Sequence, residues 1–290
     1  MTIQLPINIC GRSFSNKDLE TVRNIIKNNS KACRQALSQI ICKEFGWVSS
    51  NGKLKEMSCR VAMLKLHRTG LIQLPLAQRP NVNGSKIKIT SISDPQFPIN
   101  KPISEIGEIE ICSVKTKMES RLWNELIERY HYLGYKPLPG AQIRYLIYCQ
   151  DGLVSAIGFS ASAWKVAPRD KWIGWTSEQR QQRLHLIINN SRFLILPWVN
   201  VQHLASKILS LCAKRIKTDW YERYRYSPVL LETFVEKERF KGTCYKAANW
   251  IYVGQTQGRG KKDTHNLCLL PIKDIWMYPL IKDFRKETNK

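Results

Sequence analysis

No stretch of this 290-residue chain holds 18 consecutive apolar residues, and the longest greasy segments, such as Phe193–Val199, have the length of a strand. A membrane-spanning helix is excluded on that count. The opening Met1-Thr-Ile-Gln-Leu-Pro has no basic stretch followed by an apolar one, so no secretory signal is expected and the chain reads as cytoplasmic. Closely spaced cysteine pairs are also missing. The nine cysteines are odd in number and include no CxxC, which argues against a disulfide framework or a zinc knuckle. Most sit in apolar runs, as small core residues do. Acidic residues are scarce: 23 Asp+Glu face 46 Lys+Arg, leaving a net charge of +23.

That excess points to a polyanionic partner, and nucleic acid is the default one. It is spread along the chain: residues 1–76 carry 12 Lys+Arg against 4 Asp+Glu, and residues 161–226 carry 12 against 4. Charge alone does not separate DNA from RNA, or a binder from an enzyme acting on nucleic acid. With 43% hydrophobic residues, the chain has enough apolar material for a core.

Turn and linker chemistry between Ala77 and Gly107 (Arg79-Pro-Asn-Val-Asn-Gly-Ser, Asp94-Pro-Gln-Phe-Pro) divides the chain into residues 1–76, a linker over 77–107 and residues 108–290. The first part reads as helices over 17–28, 31–45 and 54–69, followed by a strand at Leu71-Ile-Gln-Leu-Pro. That order is the order of a winged helix-turn-helix, whose third helix enters the DNA major groove. Helical spacing puts Met57, Val61 and Leu64 inward. It leaves Lys55, Ser58, Ala62, Lys65 and Thr69 as an outward, groove-facing stripe with Arg60 at its edge. An ordinary solvated helix face is the alternative.

The second part reads as α/β: a helix over 114–130, a hairpin of strands 142–149 and 153–161 about Asp151-Gly152, a strand over 192–199, a helix over 201–224, a strand over 229–236, a helical turn over 242–250 and a strand over 251–254. This order resembles the Gcn5-related N-acetyltransferase (GNAT) superfamily, as does Tyr245-Lys-Ala-Ala-Asn-Trp-Ile-Tyr-Val-Gly. The fold class is therefore mixed α/β, with an N-terminal winged helix-turn-helix and a GNAT-like C-terminal domain. Such acetyltransferases hold the cofactor pyrophosphate on backbone N–H groups of a glycine-containing loop. The equivalent Pro197-Trp-Val-Asn-Val-Gln-His has no glycine, so the acetyl-CoA site is expected to be lost and acetyl transfer is the weakest reading.

A more specific resemblance lies in Met57-Ser-Cys-Arg-Val-Ala-Met-Leu-Lys-Leu-His-Arg-Thr-Gly-Leu-Ile-Gln-Leu-Pro, Tyr130-His-Tyr-Leu-Gly-Tyr, Arg169-Asp-Lys-Trp-Ile-Gly-Trp, Asn190-Ser-Arg-Phe-Leu-Ile-Leu-Pro, Glu232-Thr-Phe-Val-Glu and Gly258-Arg-Gly. Together they resemble the DruA family of the Druantia anti-phage defence systems, related domains of which occur joined to transposase-like proteins. The resemblance implies a role in anti-phage defence or mobile-element biology, alongside other defence-system proteins, without supplying a reaction.

The chemistry must come from the residues. A nuclease needs clustered carboxylates for Mg²⁺, or a nucleophile beside a base. Strand alternation puts Glu232, Phe234 and Glu236 on one face. Glu232 and Glu236 are the candidate metal ligands, with Asp219 and Glu222 as further acids, and pairing of Glu232 with an arginine is the competing reading. Tyr245 is a candidate nucleophile or a core tyrosine; His131 is a candidate general base or a packed side chain. Arg259, Lys261 and Lys262 form a basic loop suited to phosphate. Two functional classes stay open: a non-catalytic DNA-recognition module serving partner enzymes or a transposase-like protein, and a metal-dependent endonuclease or nickase using Glu232 with His131 or Tyr245.

Overall fold

The computed structural model describes residues 5–50, 52–76, 87–259 and 268–290. The chain divides into two compact units, Met1–Ser85 and Lys86–Lys290.

The first unit opens with a hairpin that the sequence reading lacks: β1 (Ile7–Ile9) pairs antiparallel with β2 (Arg12–Phe14). Cys10 and Gly11 form its two-residue turn, both at positive φ (55° and 76°), the geometry that matches strand twist. Helix α1 (Asn16–Asn28) follows, started by Ser15 and Asp18 in a reciprocal capping box. Then come α2 (Arg34–Glu44) and α3 (Glu56–Arg68). Phe14, Leu19, Val22, Ile41, Cys42, Trp47, Cys59, Ala62, Met63 and Leu66 build the core between them.

Two expectations are corrected here. Helix α3 is rotated relative to the expected facing: Cys59, Ala62, Met63 and Leu66 are buried, while Met57 is 64% and Val61 43% exposed. Small Cys and Ala allow close approach of α2, so the large Met57 and Val61 are the residues left outside. The expected strand at 71–75, the wing element, does not form. Its backbone is used otherwise: Leu71 and Pro75 carbonyls accept from the Arg23 and Arg34 guanidinium groups, and the Leu74 N–H is donated to His67 Nδ1.

The second unit is built on a seven-stranded mixed sheet in the order β3-β4-β5-β6-β7-β9-β8. The strands are β3 (Glu110–Ser113), β4 (Gln142–Cys149), β5 (Gly152–Ala161), β6 (Ile187–Ile195), β7 (Leu230–Glu236), β8 (Ile251–Gln255) and β9 (Lys273–Pro279). All neighbours are antiparallel except β6 and β7. The mixed α/β class and the Asp151-Gly152 hairpin are as the sequence implies. Strand β9, unforeseen, inserts between β7 and β8. Helix α4 (Lys117–Tyr130) lays Trp123 over Gly158, where a Cβ would come within 2.8 Å of the indole, so only glycine permits this approach. Helix α7 (Leu204–Tyr224) buries Leu204, Ile208, Cys212, Ile216 and Trp220, a stripe at intervals of four. Short helices α5 (Ala167–Ile173), α6 (Ser177–Arg183), α8 (Thr243–Ala247) and α9 (Phe284–Thr288) complete the unit.

The segment read as a linker over 77–107 divides. Residues 77–86 lie outside the described residues, but 87–107 belong to the second unit and contribute Ile99 and Ile106 to its core. A fully buried carboxylate ties them down. Glu125 of α4 accepts from the Thr90 N–H (2.8 Å), the Thr90 and Ser93 hydroxyls and Arg121. Burial opposes ionisation there, yet these donors outweigh it and hold the carboxyl below its usual range. A depressed carboxyl pKa stabilises the fold above the unfolded value, near 4.3, and the contribution is lost as pH falls through the folded value. Glu125→Gln is therefore expected to flatten the acid limb of a stability-versus-pH profile below about pH 4.3, read by denaturant unfolding at each pH.

Candidate functional site

The residues singled out in the sequence fall into two clusters set by β7. Alternation sends Glu232 to one side of this strand and Thr233 to the other.

On Glu232's side the carboxylate is fully buried against Arg169, itself fully buried. Arg169 Nη1 lies 2.9 Å from Glu232 Oε2 and also donates to the Ala163 carbonyl (2.8 Å). The Ala163 N–H is donated to Glu232 Oε1 at 3.0 Å. Asp170 accepts from Arg169 Nε (2.9 Å), lies 2.8 Å from its Nη2, and also accepts from the Trp175 indole and Arg180. Two motifs, Arg169-Asp-Lys-Trp-Ile-Gly-Trp and Glu232-Thr-Phe-Val-Glu, thus meet as one closed ionic network. This is the arginine pairing that competes with the reading of Glu232 as a catalytic or metal-binding acid, and both its oxygens already accept hydrogen bonds. Glu236 is four residues further on, about 13 Å along a strand, and is paired with Arg239 at 3.1 Å. Asp219 is likewise taken up, by Tyr145 (2.8 Å) and Arg215 (2.9 Å). Among the described residues no group of three or more His, Cys, Asp and Glu is placed to hold a metal ion.

On the other side β6 and β7 separate. Their parallel register runs only from Ile187↔Leu230 to Asn189↔Glu232, and β6 continues to Ile195 without it. The gap is closed from within. Tyr245 of α8 donates its hydroxyl to Asn190 Oδ1 (2.8 Å) and packs against Phe193 and Trp250. The Thr233 hydroxyl donates to the Asn190 carbonyl (3.1 Å). Burial pushes the Tyr245 phenol well above its usual range, so it stays protonated, which fits a core tyrosine rather than a nucleophile.

His131 stands at the rim of this opening, just after α4. It is half-buried, stacks on Tyr132 (4.9 Å, 24°) and accepts the Leu133 N–H on Nδ1 at 3.2 Å. Desolvation first, and nearby Arg192 second, bring its pKa down to about 4. The imidazole is neutral near pH 7, with its proton on Nε2. Its ring resonances are expected to titrate near pH 4 by NMR. Because the folded value lies below the unfolded one, about 6.5, this residue should cost stability as pH falls across that interval. Arg192 and Tyr132, both inside quoted motifs, escaped the sequence reading. An arginine in a strand with no acid nearby in the chain was the available signal.

The β6–α7 connection was the expected cofactor loop. Trp198 and Val199 are buried in it, and Ile99 pairs with Val199 as an added bridge, its N–H on the Trp198 carbonyl and its carbonyl on the Asn200 N–H (both 2.8 Å). The Val199 N–H is donated to the Leu196 carbonyl. The Val199 and Asn200 N–H groups are thus already donated within the fold, and the connection carries bulky Trp198 and Val199 in place of the glycines that let a backbone approach a coenzyme A pyrophosphate closely, so these residues fit that group poorly.

The predicted DNA contacts of the first unit are distributed differently from expectation. Lys55, Lys65 and Thr69 are exposed, Ser58 and Arg60 are half-buried, Arg60 contacts the Met57 sulfur, and Ala62 is in the core. Arg259 of the second unit is exposed, and Lys261 and Lys262 lie outside the described residues.

No helix among the described residues is long and apolar enough to cross a membrane. No curated protein matches the chain. Solved structures similar to it include an N-acetyltransferase from Staphylococcus aureus Mu50 (11% identity, TM-score 0.34, covering 60% of this chain and 99% of that one). A polyamine N-acetyltransferase from Drosophila melanogaster is similar at 9% identity and TM-score 0.38 (59% and 100%). A GNAT-family acetyltransferase from Streptococcus pneumoniae is similar at 11% and 0.37 (59% and 99%). At these scores the likeness assigns no activity. The family model described as Druantia protein DruA matches residues 65–269. That match spans well over half of the sequence, and the chain belongs to the Druantia protein DruA family.

Proposed function

We propose that this DruA-family chain is a DNA-binding component of anti-phage defence that recognises nucleic acid, rather than one that acetylates a substrate or cuts DNA through Glu232. One observation carries the reading: the cations are not there to neutralise the protein's own acids. Among the described residues the buried acids Glu125 and Glu232 are each satisfied by one arginine plus backbone or hydroxyl donors, and the ion pairs take up only a minority of the lysines and arginines. A protein holding that much uncompensated positive charge gains by binding a polyanion.

In the first unit the exposed side of α3 presents Met57, Val61, Lys65 and Arg68. Apolar groups flanked by cations suit a major groove, where thymine methyls and phosphates lie side by side. The winged-helix docking is replaced in this reading by a helix-only contact, since the described residues 69–76 after α3 form no strand. In the second unit Arg259 and the basic residues of α7 add phosphate contacts. Fluorescence anisotropy with a labelled duplex tests the proposal: the full chain should bind in low salt, and Lys65→Glu with Arg68→Glu should weaken that binding. Absence of any binding to duplex or single strand at low ionic strength would overturn it.

A further inference from the structure

A second recognition feature lies at the rim of the β6–β7 opening. Arg192 sits on β6 opposite Gly158, beyond the last residue in register with β7. Its guanidinium is half-buried and gives one hydrogen bond, from Nη1 to the Ser191 carbonyl (2.7 Å), while its Nε is buried without an acceptor. Among the described residues no carboxylate pairs with it. Glu236, whose charge like that of Arg192 acts on Tyr132, is engaged by Arg239. A half-buried cation without a counter-charge is costly unless a ligand supplies one.

Arg192 lies near enough for its charge to act on His131 and Tyr132, which belong to an exposed aromatic ledge. His131 stacks on Tyr132, the Tyr132 and Phe240 rings are 5.4 Å apart, and the Arg239 guanidinium lies 5.2 Å from the Tyr132 centroid. Tyr132 is 37%, Leu133 37% and Phe240 48% exposed. Neutral His131 adds a donor at Nε2 without adding charge. The corner therefore offers the exposed Phe240 ring, tilted at 59° to Tyr132, with an unneutralised cation and a neutral donor nearby.

We propose that this ledge holds one unpaired nucleotide, its base stacked on the exposed Phe240 ring with Tyr132 at its edge, and its phosphate on Arg192. Stacking surfaces bordered by arginine take bases whose π-faces are free, which a duplex does not offer. The inference rests on the nucleic-acid reading for its ligand, but concerns a different surface from the duplex contact of α3.

The test compares labelled oligo-dT with a duplex of equal length, using the full chain, Phe240→Ala, Arg192→Gln and Arg192→Lys, with thermal unfolding to verify folding. Phe240→Ala and Arg192→Gln should each lower affinity for the single strand about tenfold, leave duplex binding within about twofold, and show partial recovery in Arg192→Lys. Competition by thymidine monophosphate would support the site with a free nucleotide as its source; competition only by the strand supports it with single-stranded DNA. Equal losses for both DNAs, or no loss for either, would overturn the site while leaving DNA binding intact. Failure of the unaltered chain to bind any of these probes would instead overturn the nucleic-acid reading and this site with it.

Discussion

Arg169→Ala is expected to destabilise the protein by about 3–5 kcal/mol, the cost of leaving a buried charge without its partner. The second unit unfolds with about 2–4 °C lost per kcal/mol at this size, so its thermal midpoint should fall by roughly 10 °C. The size of the effect follows from what Arg169 leaves behind. Glu232 would keep only the Ala163 N–H (3.0 Å) at full burial, and Asp170 would retain Arg180 at 3.4 Å and the Trp175 indole. The Ala163 carbonyl would also lose its donor. Removing both charges together is a different experiment. Arg169→Met with Glu232→Leu leaves no orphaned ion and should recover most of the loss, because desolvation of the pair offsets most of its attraction. Glu232→Gln should be milder than Glu232→Ala, since an amide oxygen still accepts from Ala163. Differential scanning calorimetry of the four variants reads these differences. A Glu232→Gln protein with unchanged stability that had lost a DNA-nicking activity would refute the structural assignment of this pair.

How far the sequence predicts this arrangement depends on the length of the interaction involved. Local signals read correctly: Asp151-Gly152 marks its hairpin, and the core spacing in α7 marks a long helix. Which neighbour a face meets is not a local property. Helix α3 has apolar residues on two faces. Helical spacing puts Met57, Val61 and Leu64 on one of them, but close packing on α2 selects Cys59, Ala62, Met63 and Leu66. The segment 71–75 alternates like a strand, yet among the described residues it pairs with no strand, and two arginine side chains take its carbonyls. Strand β9 carries Lys273 and Asp274 at its start and Pro279 at its end, which hides a central strand, although Ile275, Trp276 and Met277 are buried. The same limit governs the sites. Glu232 looked like a ligand because Arg169, 63 residues earlier, is brought beside it only by the fold. The quoted motifs did mark residues that matter, but as pairs: Arg169 with Glu232, Asn190 with Thr233 and Tyr245, and Arg192 with His131 and Tyr132.

Salt should act on DNA binding more strongly than any single substitution. If the two units together neutralise six to ten phosphates, raising monovalent salt from 50 to 200 mM should weaken duplex affinity by about 10³–10⁵, with a log–log slope near −0.9 per phosphate. The expectation follows from how the charge is held. Lys65 and Arg68 on α3 and Arg259 in the second unit are exposed, so each can release a counterion when it meets a phosphate. Arg169, Arg121 and Arg215 are committed to Glu232, Glu125 and Asp219 and should not contribute. Lys65→Glu and Arg68→Glu should each reduce the slope by about 1 and weaken binding without regard to sequence, as phosphate contacts do. Arg192→Gln should leave the duplex slope unaltered and reduce only that for single strand. A duplex slope near zero in the unaltered protein would show that the +23 charge serves something other than the phosphate backbone, however tight the binding.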